Sequence, residues 1–112
     1  MVKVSEYIAN KLLSIGGKDV FMLNGGMMMH LVDTLGQKGG LQYIANFHEQ
    51  ASAMAADGYA RCSNRLGICY ATSGPGATNI ITGLINPSAG SIYIDNILIN
   101  SENLKQWQKN IA

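Results

Sequence analysis

The sequence predicts an α/β fold, a three-layer arrangement in which a parallel sheet built from βαβ units lies between helices, followed by an irregular β-hairpin/helix tail. Three observations carry this. Three- and four-residue apolar periodicity alternates with short apolar runs along residues 1–84, the runs end at glycine-bearing turns or at a helix-opening junction, and the rhythm breaks after about Leu84. Strands that alternate with helices need crossover connections, and right-handed crossovers put helices on both faces of a parallel sheet.

Taken in order, Val4, Tyr7, Ile8, Leu12 and Ile15 recur at helical spacing and predict one apolar stripe, which Gly16 and Gly17 end. Asp19 to Leu23 reads as a buried strand closed by Asn24, Gly25 and Gly26, and a second helix runs from about Met27 to Leu35. The Met27-Met28-Met29 run reads as adaptable core filler. Leu41 to Phe47 predicts another strand, Glu49 to Arg61 an alanine-rich helix, and Leu66 to Thr72 a third strand, closed by the turn Ser73-Gly74-Pro75-Gly76. Beyond Leu84 comes a turn cluster from Asn86 to Gly90. Ser91 to Ile99 alternates like a strand or hairpin around Asp95-Asn96, and Asn103 to Ile111 reads as a short helix.

With 112 residues, 47% of them hydrophobic, the chain has core material for one globular domain. Eight basic against seven acidic residues give a net charge of +1, which supplies neither a nucleic-acid footprint nor a membrane-attracting patch. No apolar stretch approaches the ~20 residues of a bilayer span. Glu6 and Asn10 interrupt the N-terminal apolar pattern, unlike a signal-peptide core, so a cytoplasmic protein is expected. Cys62 and Cys69 lack CxxC spacing and read as two reduced thiols, and no metal-ligand spacing is present. Small molecules or other proteins are the expected partners.

In an open parallel sheet, ligands collect beyond the carboxyl ends of the strands. Three segments fall there: Asn24-Gly25-Gly26, His48-Glu49-Gln50, and the turn from Thr72 to Asn79. Glu49 opens a helix of otherwise small or apolar residues directly after a strand, so a half-buried carboxylate is expected. Burial raises its pKa while the helix N-terminus lowers it, which leaves its protonation open to tuning by a ligand. The same position also suits a glutamate that only complements the helix dipole. His48 can assist proton transfer or serve as a hydrogen-bonded neighbour. No lysine followed by serine or threonine comes after Gly74-Pro75-Gly76, so a Walker-type phosphate loop is excluded.

The string NFHEQASAMAADGYAR, Asn46 to Arg61, followed by YATSGPGATNIITGL, Tyr70 to Leu84, resembles the N-terminal pyrimidine-binding domain of thiamine-diphosphate-dependent enzymes of the acetolactate synthase type. DVFMLNGGMMMHLVDTL, Asp19 to Leu35, takes the place of that family's first strand and glycine turn. The likeness is greater to members associated with surface-polysaccharide biosynthesis than to those making branched-chain amino acids. The resemblance implies that Glu49 is the catalytic glutamate, hydrogen-bonded to a ring nitrogen of the cofactor's aminopyrimidine. It further implies that Asn24, Gly25, Gly26, Gly74, Pro75, Gly76 and Asn79 lie around the cofactor, and that the substrates are 2-keto acids. Mg²⁺ is expected from the family, but the GDG motif and downstream asparagine that hold it with the diphosphate do not occur in this sequence. The implied partner is therefore a second copy, or a diphosphate-binding domain on another chain, since the family places its cofactor between subunits.

GLINPSAGSIYIDNILINSENLKQWQKNIA, Gly83 to Ala112, resembles a different family, the ABC transporter ATPases, between the Walker A helix and the glutamine loop. The expected organisation is a partial pyrimidine-binding domain over residues 1–84 and a foreign tail over 85–112. Ile81-Thr82-Gly83-Leu84 fits both, as in a recombined or truncated gene. The expected function is a cofactor-binding fragment that is inactive alone, and the alternative is a non-catalytic remnant or interaction module. An incomplete sheet leaves an exposed edge, which favours association unless the tail covers it.

Overall fold

The computed structural model describes residues 2–85, 92–94 and 97–99. Three parallel strands, β1 (Asp19–Met22), β2 (Gln42–Ala45) and β3 (Ile68–Tyr70), form a sheet in the order β2-β1-β3. Phe21 of the central strand pairs with Ile44 on one side and Cys69 on the other. β1 takes the centre because it offers three consecutive apolar side chains, and Val20, Phe21 and Met22 are all buried.

Strand alternation divides these side chains between two layers. Val20, Met22 and Ile68 join Ala9, Met28, Leu35 and Leu41 in the main core, with Leu12, Leu13, Val32 and Tyr70 packed around them. That core lies between the sheet and the helices α1 (Val4–Ser14) and α2 (Met29–Lys38). Phe21 faces the opposite layer, where its ring lies 5.6 Å from that of Tyr59 on α3 (Glu49–Ser63). The three-layer α/β architecture is therefore the one the alternating pattern predicts.

The predicted apolar stripe of α1 faces inward only in part, through the half-buried Ile8 and Leu12, of which Leu12 packs on the core. Val4, Tyr7 and Ile15 are more than half exposed, and the residues buried on α1 are Ser5 and Ala9. Small side chains let α1 approach α2 closely, and the Ser5 and Thr34 hydroxyls meet there in a buried hydrogen bond of 2.9 Å. The methionine run also divides. Met28, which ends a short 3₁₀ turn (Gly26–Met28), enters the core, whereas Met27 and Met29 are exposed. β2 pairs along one edge only and all four of its residues are exposed; Leu41, just before it, is the buried one.

Pro75 opens a short helix, α4 (Pro75–Asn79), where the sequence predicts only a turn; its fixed φ and missing N–H suit a first helical position. α5 (Ile81–Ile85) follows. In the tail, β4 (Ile92–Ile94) and β5 (Ile97–Ile99) pair antiparallel in a two-stranded sheet of their own, with Tyr93 opposite Leu98, and do not extend the parallel sheet. The predicted turn cluster at 86–90 and helix at 103–111 lie outside the described residues. Among those residues no helix is long and apolar enough to cross a membrane.

Candidate functional site

α3 begins at Glu49 because His48 caps it. His48 is extended, at φ −156 and ψ 142, and its Nδ1 accepts a hydrogen bond of 3.1 Å from the Gln50 N–H. Such a bond satisfies one of the amide donors left free at a helix start, and it requires Nδ1 to carry no proton. His48 is thus a hydrogen-bonded cap with an exposed ring.

Glu49 follows as the first helical residue and is only 8% exposed, more enclosed than the half-buried carboxylate the sequence suggests. Asn79, the last residue of α4, donates from Nδ2 to Glu49 Oε2 over 3.0 Å. The other oxygen, Oε1, faces Gly76. A Cβ built on Gly76 would lie 3.1 Å from Oε1 and 2.8 Å from Thr72 Cγ2, so the missing side chain at 76 lets α4 close on the carboxyl. Gly25 makes a similar approach from the first turn, where a Cβ would fall 2.6 Å from Thr72 Cβ.

Four of the eight predicted site residues, Gly25, Glu49, Gly76 and Asn79, are thereby linked in one constellation with Thr72 wedged between the glycines. Asn24, Gly26, Gly74 and Pro75 are exposed and shape the turns around it. Gly74 adopts φ +73, a conformation L side chains avoid, which lets β3 turn into α4. Sequence reasoning missed Thr72 as a site residue, and its position at the end of the third predicted strand is the signal that could have found it. It also missed the Gln50 side chain, which donates to the Thr82 hydroxyl at 3.0 Å and ties the start of α3 to α5.

The electrostatic balance that the sequence leaves open tips toward the ionised form. The Asn79 hydrogen bond holds the Glu49 carboxyl below the usual carboxylate range, and its own backbone N–H adds to the effect. Burial opposes them, and nearby His48 contributes a further attraction. Burial in turn pushes the Cys69 thiol up to about 11, with the Glu49 charge assisting. Cys62 is exposed and both cysteines are free thiols. No group of three histidine, cysteine, aspartate or glutamate side chains able to hold a metal occurs among the described residues.

Residues 2–97 match the family model described as thiamine pyrophosphate enzyme, N-terminal TPP binding domain. The chain is 44% identical over 90 residues to the acetolactate synthase isozyme 2 large subunit of Escherichia coli strain K12, covering 80% of this chain and 16% of that protein. A probable acetolactate synthase large subunit of Methanocaldococcus jannaschii is also 44% identical over 90 residues, 80% of this chain and 15% of the relative. The chloroplastic acetolactate synthase of Arabidopsis thaliana is 38% identical over 90 residues, 80% of this chain and 13% of the relative. The chain therefore spans a minor part of the length of these relatives. The family match continues past Leu84 into the segment expected to be foreign, and the comparisons do not support its resemblance to an ABC transporter ATPase. A match over all but the first residue and the last fifteen identifies the chain as a member of the thiamine pyrophosphate enzyme family, within its N-terminal TPP binding domain.

Proposed function

We propose that Glu49, Gly25, Gly76 and Asn79 hold the aminopyrimidine end of thiamine diphosphate, and that the chain supplies this half-site to an acetolactate synthase-like enzyme acting on 2-keto acids. The observation that carries the reading is the enclosed Glu49 carboxyl, with one oxygen fixed by Asn79 and the other facing a glycine at the carboxyl edge of the sheet. The residues fit that end of the cofactor. A carboxyl group complements a basic ring nitrogen, and two positions without side chains leave backbone able to approach a flat ring. Asn24, Gly26, Gly74 and Pro75 shape the rim of this half-site.

When bound, thiamine diphosphate supplies the carbon nucleophile and electron sink for decarboxylation of a 2-keto acid. Glu49 holds a proton at the ring nitrogen and exchanges it there. Its pKa, low in the free site, rises as a ligand displaces water from the carboxylate. His48 fixes the start of α3 and hence the place of Glu49, and Thr72 keeps the glycine turns apart. The diphosphate and its Mg²⁺ are held by groups outside this constellation. A cytoplasmic location completes the reading.

Calorimetric titration of the chain with thiamine diphosphate and Mg²⁺ tests it. Binding is expected in the wild type, with affinity reduced about 10- to 100-fold in Glu49→Gln, the cost of a lost hydrogen bond to a charged group. No binding by the wild type overturns the proposal and favours a non-catalytic interaction module. The exposed edge strand β2 and the fully exposed Phe47 are the features that support that second reading.

A further inference from the structure

The two oxygens of Glu49 stand in different surroundings, and that difference carries an assignment the family match does not. Oε2 receives the Asn79 amide at 3.0 Å, whereas Oε1 faces the side-chain-free position of Gly76. In a neutral carboxylic acid one oxygen is a carbonyl acceptor and the other bears the proton. An N–H donor fixed on Oε2 favours the carbonyl form there and leaves the hydroxyl to Oε1.

We propose that Asn79 is a positioning residue that clamps Glu49 through Oε2 and so assigns Oε1, the oxygen beside Gly76, as the atom that carries the exchangeable acid proton. The assignment rests on the aminopyrimidine reading for its use, since Oε1 is the oxygen that Asn79 leaves for a ring nitrogen in that half-site. The proton leaves Oε1 for the nitrogen lone pair, and the negative charge left on the carboxylate is shared with Oε2, where the Asn79 N–H and the first turn of α3 stabilise it. The reverse arrangement, with the Asn79 side-chain oxygen accepting a proton from Oε2, would stabilise the neutral acid and raise the pKa. The other titratable groups that bear on Glu49 are His48 before it and Cys69 on β3.

The clamp is tested on the full chain without ligand, by following the Glu49 side-chain carboxyl carbon by NMR through an acid titration in the wild type, Asn79→Ala and Asn79→Leu. The leucine variant is close in size and removes the same donor without adding a charge beside Glu49, so it covers the case in which the alanine variant fails to fold. The Glu49 midpoint should move up in each folded variant. An unchanged midpoint, or a fall, overturns the proposal, because a fall means that Asn79 accepts rather than donates. Thiamine diphosphate affinity, measured in parallel, should fall about tenfold in Asn79→Ala, as for the loss of one hydrogen bond to a charged group. Wild-type chain that shows the midpoint shift but binds no thiamine diphosphate sinks the half-site reading and leaves the clamp standing. Binding by the wild type with no midpoint shift in the variants sinks the clamp alone.

Discussion

Gly67 decides how closely β3 can lie against α3, and replacing it gives the largest single effect expected from the packing. A Cβ at position 67 would lie 2.2 Å from the carbonyl oxygen of Ala56, 2.9 Å from its carbonyl carbon and 3.2 Å from the Ala60 Cβ. An ordinary carbon–oxygen contact needs about 3.3 Å, so strand and helix would have to separate by roughly 1 Å. The Ala56 carbonyl cannot turn aside, because within α3 it is the acceptor for the N–H four residues on. Gly67→Ala is therefore expected at the upper end of overpacking costs, roughly 3 kcal/mol. For a domain of this size that is a fall in Tm of roughly 12–24 °C. Gly58→Ala is the matched control. It sits inside α3, nothing lies within 4 Å of its added Cβ, and alanine there should stabilise by about 1 kcal/mol through helix propensity. Thermal unfolding followed by circular dichroism reads both. A Gly67→Ala chain that melts at or above the wild type refutes the close approach, as does a Gly58→Ala chain that loses stability.

Other consequences follow from the same structure. Cys62 should react with a thiol reagent at neutral pH at the rate of an exposed cysteine, whereas Cys69, at about 11 against an ordinary 9.0, should hold about 100-fold less thiolate; equal rates from folded protein contradict its placement. Thr34→Val removes the hydroxyl that meets Ser5 between α1 and α2 and should cost about 1–3 kcal/mol in denaturant unfolding, the penalty for a buried polar group left unpaired. A neutral result would mean that water reaches Ser5. The lowered pKa of Glu49 stabilises the fold above the ordinary carboxylate range, and that contribution is lost as pH falls from about 4.3 through the lower folded value. Melts of wild type and Glu49→Gln should accordingly differ most at neutral pH and converge in acid, and a gap that widens on acidification would reverse the sign.

Periodicity and turn chemistry were enough to read the fold class, because β1 and α3 each have neighbours that agree with their local pattern. The inward face of α1 was legible only in part, through Ile8 and Leu12. Val4, Tyr7 and Ile15 carry the stronger hydrophobic signal, yet the close approach to α2 is made by Ser5 and Ala9, and a pattern of hydrophobicity does not report which face can pack tightly. β2 was read as a strand correctly, but its exposure depends on having a single paired edge, which a local sequence cannot express. At the site, Glu49 and the glycine turns stood out through their place at the carboxyl ends of the strands and through the resemblance to thiamine-diphosphate-dependent enzymes. The Asn79–Glu49 contact joins residues thirty positions apart, and only the folding of α4 against α3 reveals it. Thr72 escaped notice for the same reason, since its importance comes from the two glycines that close on it.

The central claim is that these glycine turns and the Glu49 carboxyl form one half of a thiamine diphosphate site. Amide NMR of the labelled chain, recorded while thiamine diphosphate and Mg²⁺ are added, tests it most directly. The account predicts saturable shifts concentrated at Gly25, Glu49, Gly76 and Asn79, with β2 and the start of α1 unmoved. Shifts centred anywhere else, or none at all, would contradict it.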